Sequence, residues 1–212
     1  CIVQLEIIQT QGDKIQDLSF DKMEGKGFFT KEIEEALLNK KIDLAVHSHK
    51  DLETTPPRGL LIAAVSDRED PSELLLIRKE AVNTSKRFSM KEKAIVGTSS
   101  ARRKSQLLAF RPDIEIKELR GNVPTRINKL REGDYDAIML AKAGVTRLKI
   151  DLSEFHVVTL DPKEFIPAPA QGALGLQIRE NDTELFKLLQ QMNDRDVQKR
   201  IYIERKVLNL LD

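Results

Sequence analysis

Residues 94–110 read AIVGTSSARRKSQLLAF, and this stretch decides the fold class. A short apolar run is followed by three hydroxyl-bearing residues, and Leu107, Leu108 and Phe110 then recur at the spacing of one helix face. An apolar run, a small polar loop and an amphipathic segment in this order are typical of a strand that leads into the N-terminus of a helix. The sequence therefore predicts a strand–loop–helix unit at this point of the chain.

The same alternation extends outward in both directions. Apolar runs typical of strands occupy residues 2–8, 44–47, 60–65, 94–97, 114–119, 137–141, 157–160 and 174–178. Helical patterns lie between most of them; the clearest has Thr30 as its N-cap, and a last helix is predicted over residues 194–211. This alternation predicts an α/β fold with mostly parallel sheets and with ligand sites at the carboxyl ends of strands.

Two proline-containing segments punctuate the chain. Residues 67–71 are charged and end in proline, and residues 162–169 contain three prolines. We therefore expect two crossings between two domains. Domain one would comprise residues 1–67 plus 168–192, and domain two residues 68–167.

The overall composition excludes several classes of protein. Of 212 residues, 40% are hydrophobic and 33% charged, and the net charge is only +1. This balance is typical of globular proteins, the longest apolar stretches fall far short of the ~20 residues of a membrane helix, and no secretion leader opens the chain. Cys1 is the single cysteine, and three histidines add no metal-binding spacing. We expect a cytoplasmic protein that binds no metal, membrane or nucleic acid.

Two strand-to-helix loops carry arginines. The first places Arg102 and Arg103 in the opening turn of its helix, where the dipole disfavours cations unless an anion is bound. The second carries Arg120 and Arg126. The polar residues beside these arginines are Thr98, Ser99, Ser100 and the N-cap Asn122. Since guanidinium groups pair with carboxylates in bidentate fashion, we expect a ligand with several carboxylates or phosphates, although Arg102 and Arg103 could equally splay into solvent.

A third polar loop follows the strand at residues 44–47 and contains Ser48, Lys50 and Asp51. Asp51 is the candidate catalytic group, because an aspartate among cations keeps its charge and can stabilise a cationic intermediate or pass a proton. His47 is expected to be a packed, hydrogen-bonded strand residue, since no nucleophile arrangement accompanies it.

Six ordered segments resemble the porphobilinogen deaminase family. They are GDK (12–14), GKGFFTKEIEEAL (25–37), DLAVHSHKDLETTPP (43–57), VGTSSARR (96–103), LRGNVPTRINKL (119–130) and PAPAQGALGLQIR (167–179). The resemblance implies a transferase of tetrapyrrole (haem) biosynthesis that joins four porphobilinogen molecules into hydroxymethylbilane and releases ammonia. It also implies two domains resembling type II periplasmic binding proteins and a truncated third domain, of which residues 193–212 would be the first helix.

The resemblance further implies a dipyrromethane cofactor and a set of site residues. Asp51 would be catalytic, binding pyrrole N–H groups and assisting proton transfer. Cofactor and substrate carboxylates would be bound by Ser48, Lys50, Thr98, Ser99, Ser100, Arg102, Arg103, Arg120, Asn122 and Arg126, with Gln171 and Gly172 lining the cleft. The family's cofactor-bearing cysteine would follow Asp212, and Cys1 matches an ordinary strand position. We therefore expect a monomer that binds porphobilinogen but is inactive as the given chain alone.

The sequence departs from the family pattern at a few positions. His49, Glu53, Ala101 and Pro124 replace an apolar residue, a proline, a leucine and a glycine respectively, and residues 167–170 are also altered. None of the first four changes removes a chemical group, and the altered residues 167–170 are expected to shift the hinge rather than the chemistry. Two other functions compete with the enzyme: a non-enzymatic anion-binding module of the periplasmic type, and nucleic-acid binding through the arginines. The near-zero net charge and the ten aromatic residues, eight Phe and two Tyr, disfavour the second.

Overall fold

A computed structural model describes residues 2–10 and 30–211. The described chain divides into two compact units, one of residues 2–10, 30–69 and 169–211 and the other of Asp70–Ala168. The sequence predictions at Cys1, residues 12–14 and residues 25–29 lie outside the described residues. Residues 193–211 cluster with the first unit, and a third domain stays a prediction.

The first unit is built on a three-stranded sheet. Its elements are α1 (Lys31–Leu38), β1 (Ala45–Ser48), β2 (Leu60–Val65), β8 (Leu174–Arg179), α5 (Thr183–Leu189) and α6 (Arg195–Leu211). Strand β8 lies between β1 and β2 and runs antiparallel to both. Helix α6 buries Val197 and Ile201 against Val65, Ala170 and Ala173, so its amphipathic face packs directly on this unit.

The second unit is built on a five-stranded sheet. Its elements are β3 (Glu73–Ile77), β4 (Ile95–Gly97), α2 (Ala101–Phe110), β5 (Glu115–Lys117), α3 (Val123–Arg131), β6 (Ala137–Ala141), α4 (Lys142–Leu148) and β7 (His156–Leu160). The strand order is β5-β4-β6-β3-β7. Strand β4 pairs in parallel with β5 and β6, whereas β3 is antiparallel to β6 and β7. Helices α2 and α3 follow β4 and β5 directly, which places both helix N-termini at one edge of the sheet.

The mixed α/β class is confirmed, and seven of the predicted strands overlap β1, β2 and β4 to β8. Thr30 stands at the N-cap of α1, as predicted. The prediction of mostly parallel sheets is wrong, because among the described pairings only β4 with β5 and β4 with β6 are parallel. The reason is topological: β8 returns late in the chain and inserts between two earlier strands in the opposite direction.

One strand prediction fails, and one observed strand was not predicted. Residues 2–8 lie in irregular structure, with Ile2 99% and Val3 83% exposed, and no strand of the described chain pairs with them. A strand needs the main-chain hydrogen bonds of a neighbour, which an alternating sequence alone does not supply. Conversely, β3 was not among the predicted strands. All five of its residues are buried, and a short continuous apolar run of this kind has no diagnostic period.

Candidate functional site

The two arginine loops of the second unit are joined at one edge of the sheet. Strands β4 and β5 are parallel neighbours, so the loops after them emerge side by side. The Ser99 hydroxyl donates to the Leu119 carbonyl at 2.9 Å and accepts from the Leu119 amide at 3.1 Å. The amide of Thr98 donates to the Lys117 carbonyl at 3.0 Å. The structure therefore brings residues 98–103 and 120–126 together, and Ser99 braces the junction.

Each loop ends in a capped helix. The Ser100 side chain accepts from the Arg103 amide at 3.4 Å, and Asn122 Oδ1 accepts from the Thr125 amide at 2.9 Å. Gly121, just before this cap, has a φ of +110°, and a Cβ there would lie 2.7 Å from Thr125 Cγ2. The predicted N-cap Asn122 is confirmed, and Ser100, one of the three hydroxyl-bearing residues of the first loop, caps the other helix. Each cap satisfies one N-terminal amide while the dipole of its helix still favours an anion at this edge.

Arg102 and Arg103 are bound to a carboxylate of the protein itself, Glu73, which is fully buried at the start of β3. Arg103 donates through Nε to Oε1 at 3.0 Å and through Nη2 to Oε2 at 2.6 Å. Arg102 Nη2 donates to Oε1 at 2.8 Å. Burial would raise the pKa of Glu73, but the charges and hydrogen bonds of Arg103 and then Arg102 hold it below its ordinary value. Neither arginine splays into solvent.

The other two arginines belong to the second loop. Arg120 is only 6% exposed, and Arg126 is half-buried and donates through Nε to the Gly121 carbonyl at 2.6 Å. We call this junction the arginine edge. It contains Arg102, Arg103, Arg120, Arg126 and the buried carboxylate of Glu73. An arrangement of this composition suits a ligand with several negative groups, since guanidinium groups bind carboxylates strongly where water is restricted.

In the first unit, the Asp51 loop begins where β1 ends. Residues His49–Asp51 form one turn of 3₁₀ helix, and Ser48 and Asp51 are exposed. Lys50 Nζ donates to Gln171 Oε1 at 3.1 Å, and the amide of His49 donates to the Ala173 carbonyl at 3.0 Å. These contacts bring the loop against the segment that carries Gln171.

Gly172 follows in this segment with a φ of +95°, and a Cβ on it would lie 2.2 Å from the Glu69 carbonyl oxygen. Only glycine fits this position without a backbone shift. The structure thus places Lys50, Asp51, Gln171 and Gly172 in one part of the first unit.

Both histidines near the loop are buried. His47 Nε2 lies 3.0 Å from Gln177 Oε1, which confirms the packed, hydrogen-bonded strand residue. Burial lowers the pKa of His47, and it lowers that of His49 to about 4, so both rings are neutral near pH 7. A cavity of about 330 Å³ lies behind the loop and is lined by His49 and Glu53 but not by Asp51. The cavity is therefore separate from the candidate catalytic carboxylate.

Sequence reasoning missed two residues of these sites, Glu73 and Arg205. A signal existed for the first, because a charged residue that opens an apolar run must be paired when it is buried. Arg205 on α6 donates to main-chain carbonyls of the Asp51 loop, and nothing in its local sequence indicates this contact. Over residues 2–10 and 30–211 we find neither a metal-binding cluster of His, Cys, Asp and Glu nor a helix able to cross a membrane.

Comparison with known proteins assigns the family. Residues 1–187 match the family model described as porphobilinogen deaminase, dipyromethane cofactor binding domain. The chain belongs to the porphobilinogen deaminase family. The family's enzymes from Bacillus subtilis (strain 168) and Nitratidesulfovibrio vulgaris (strain DP4) are 45% and 47% identical to it over 99% and 97% of this chain. The chain spans 65% and 64% of the length of these two relatives.

Likeness to solved structures is looser. A periplasmic binding protein from Brucella ovis with glutathione bound aligns with a TM-score of 0.49 and 15% identity, covering 75% of this chain and 49% of that one. The family assignment therefore rests on the sequence relatives and on the family domain, which is the one that binds dipyrromethane.

The arginine edge fits a group of this family's kind. Each pyrrole of the family's cofactor bears an acetate and a propionate, so the group is a small polycarboxylate. The donors at the edge are guanidinium groups and the N-terminus of a ten-residue helix, α2, which are the groups that bind carboxylates in proteins.

Proposed function

We propose that the complete polypeptide containing this chain is a hydroxymethylbilane synthase, a transferase of tetrapyrrole biosynthesis that joins four porphobilinogen molecules head to tail. The observation that carries the proposal is the arginine edge, which is suited to carboxylates in a protein whose net charge is only +1. A protein that attracts anions in general would carry a large net positive charge. Here the arginines are instead concentrated at one edge of a nearly neutral protein. Membership of the porphobilinogen deaminase family supports the same function.

We assign the carboxylates of cofactor and substrate to the second unit. Arg102, Arg103, Arg120 and Arg126 would bind them, with Thr98, Ser99, Ser100 and Asn122 shaping the loops. When bound, dipyrromethane supplies a covalent primer to which the first substrate is joined. Glu73 holds two guanidinium groups in fixed orientations before the ligand arrives. This preorganisation lowers the entropic cost of binding a carboxylate.

We assign the chemistry to Asp51 in the first unit. During condensation the aminomethyl C–N bond of porphobilinogen breaks, ammonia leaves and an azafulvene cation remains; the free α-carbon of the terminal pyrrole then forms the new C–C bond to this cation, and its C–H bond breaks as a base takes up the proton. The exposed Asp51 carboxylate would stabilise this cation and accept hydrogen bonds from pyrrole N–H groups. Ser48 and Lys50 would bind substrate carboxylates, and Gln171 fixes Lys50 through the 3.1 Å hydrogen bond. Gly172, which has no Cβ, allows the backbone at Glu69 to approach closely.

We further propose that porphobilinogen is the small-molecule substrate and that the protein acts as a cytoplasmic monomer without nucleic-acid or membrane partners. The near-zero net charge supports the absence of nucleic-acid binding.

Incubation of the complete polypeptide with porphobilinogen tests the proposed function. Hydroxymethylbilane formation is measured over many turnovers, and intact mass before incubation reports covalently bound dipyrromethane. We expect both turnover and the added mass. Binding of porphobilinogen without ammonia release or turnover would instead favour the non-enzymatic anion-binding module.

A further inference from the structure

Helix α6 contacts residues 49–54 through Asn209, whose Oδ1 accepts from the Thr54 hydroxyl at 3.3 Å, and chiefly through Arg205. Its Nη1 donates to the carbonyl oxygens of His49 at 3.2 Å and Leu52 at 3.0 Å, and Nη2 donates to the carbonyl of Glu53. These carbonyls lie on both sides of Asp51 in the chain. One guanidinium therefore holds both ends of the segment that carries the candidate catalytic carboxylate.

The loop's own secondary structure restrains it weakly. Its 3₁₀ turn is a single turn, and the hydrogen bond that closes it, from the Leu52 amide to the His49 carbonyl, is long at 3.4 Å. Short 3₁₀ turns have poor hydrogen-bond geometry and depend on tertiary contacts. Asp51 is exposed and belongs to this turn. A shift of the turn's backbone therefore moves the Asp51 side chain with it.

Arg205 differs from two other arginines of the first unit, Arg68 and Arg179. Arg68 forms an ion pair with Glu204 at 2.5 Å and Arg179 one with Asp43 at 2.6 Å. Within residues 30–211, where all three lie, Arg205 forms no ion pair with a carboxylate. The Arg205 side chain is partly buried against main-chain oxygens, and this burial lowers its pKa. The positive charge of Arg205 lies beside the carbonyl oxygens of the turn, which carry negative partial charge.

We propose that Arg205 is a positioning residue for the condensation reaction: it fixes residues 49–53 and thereby the Asp51 carboxylate. This inference rests on the proposed role of Asp51. Among the described residues the hydrogen bonds of Arg205 go to carbonyls of the loop, so its loss should impair the chemical step more than substrate binding, to which Lys50 of the same loop would contribute. Misplacing a reacting group by about 1 Å can cost about 100-fold in rate.

The test uses the complete polypeptide loaded with dipyrromethane, with loading checked by intact mass. Arg205→Gln is expected to lower kcat by about 10- to 100-fold and to raise KM by a smaller factor, since Lys50 lies in the same segment. Arg205→Lys keeps the charge and can still donate to some of the carbonyls, so it should recover part of kcat. Lys206→Gln is the matched control: it removes the same charge from the next, exposed position and should leave kcat unchanged.

Hydrogen–deuterium exchange provides a readout that does not depend on activity. In Arg205→Gln the amides of residues 49–54 should exchange faster, whereas those of β2 should keep the protection seen in Lys206→Gln. Unchanged kcat in folded Arg205→Gln, a loss confined to KM, or unchanged exchange in the loop would each overturn the positioning role. Failure of the wild-type protein to turn over porphobilinogen would instead refute the proposed function itself.

Discussion

Glu73→Gln removes a negative charge from a fully buried side chain and keeps nearly the same shape. In the present structure the carboxylate accepts two hydrogen bonds from Arg103 and one from Arg102. A glutamine at this position retains one oxygen for the contacts now made by Oε1. Its amide nitrogen would face Arg103 Nη2 where Oε2 now lies at 2.6 Å, so that two donors meet.

The magnitude follows from what remains after the substitution. Arg103 is only 6% exposed and would be left as a buried cation without its counter-charge. Breaking a buried ion pair by removal of one partner typically costs about 3–5 kcal/mol. We therefore expect the free energy of unfolding of the second unit to fall by an amount in that range. Such a loss is a large fraction of the stability of an ordinary domain, typically about 5–15 kcal/mol.

Chemical denaturation of the chain measures this loss. The protein has no tryptophan and two tyrosines, of which Tyr135 is buried in the second unit and Tyr202 is exposed on α6. In a Tyr202→Phe background, tyrosine fluorescence therefore reports on the second unit alone. Glu154→Gln, which breaks the exposed pair with Arg131, serves as the control and should change stability little. A loss for Glu73→Gln no larger than that of the control would refute the reasoning.

The pH dependence provides a second check on the same pair. The pKa of Glu73 is lowered in the folded protein, so its contribution to stability is present above its unfolded pKa of about 4.3. That contribution is lost as the pH falls through the folded pKa. The stability difference between wild type and Glu73→Gln should therefore be constant near neutral pH and shrink in acid. A difference that grows as the pH falls below 4 would contradict the assigned direction.

Three further substitutions test the two sites. Asp51→Asn should leave the unfolding transition in place and lower kcat by at least about 100-fold, because it removes the charge that faces the developing cation; normal turnover in a steady-state assay would exclude the catalytic role. Arg126→Leu should weaken cofactor loading, measured by intact mass, more than it shifts the denaturation midpoint, and equal loading would count against the carboxylate role. Gly172→Ala should destabilise the first unit by at least about 1–2 kcal/mol, since alanine must adopt a positive φ. Gly144→Ala, which meets no backbone clash, is the control for that change and should be neutral or stabilising.

Local chemistry made parts of the site predictable from sequence. The caps Ser100 and Asn122 follow from a polar residue placed between an apolar run and an amphipathic segment, and both form the expected bonds. The meeting of the two arginine loops follows from the parallel pairing of successive strand–helix units. Each of these features depends on neighbours within a few residues or on a common βαβ rule.

Long-range pairing was not predictable. Glu73 lies about 30 residues from the arginines that it binds, and Arg205 is 152–156 residues from the carbonyls that it holds. No local sequence pattern indicates a partner so far along the chain, because Glu73 or Arg205 would be equally stable if it were exposed to solvent. The antiparallel insertion of β8 has the same origin, since strand direction depends on where the chain re-enters a sheet.

The sharing of one carboxylate by Arg102 and Arg103 also affects how strongly ligand affinity should depend on salt concentration. A ligand carboxylate that approaches Arg102 meets a guanidinium whose charge Glu73 already balances. Few solvent counterions are held at this position, so few are displaced when the carboxylate binds. The affinity for a polycarboxylate should therefore vary less steeply with salt concentration than the four arginines at this edge would suggest.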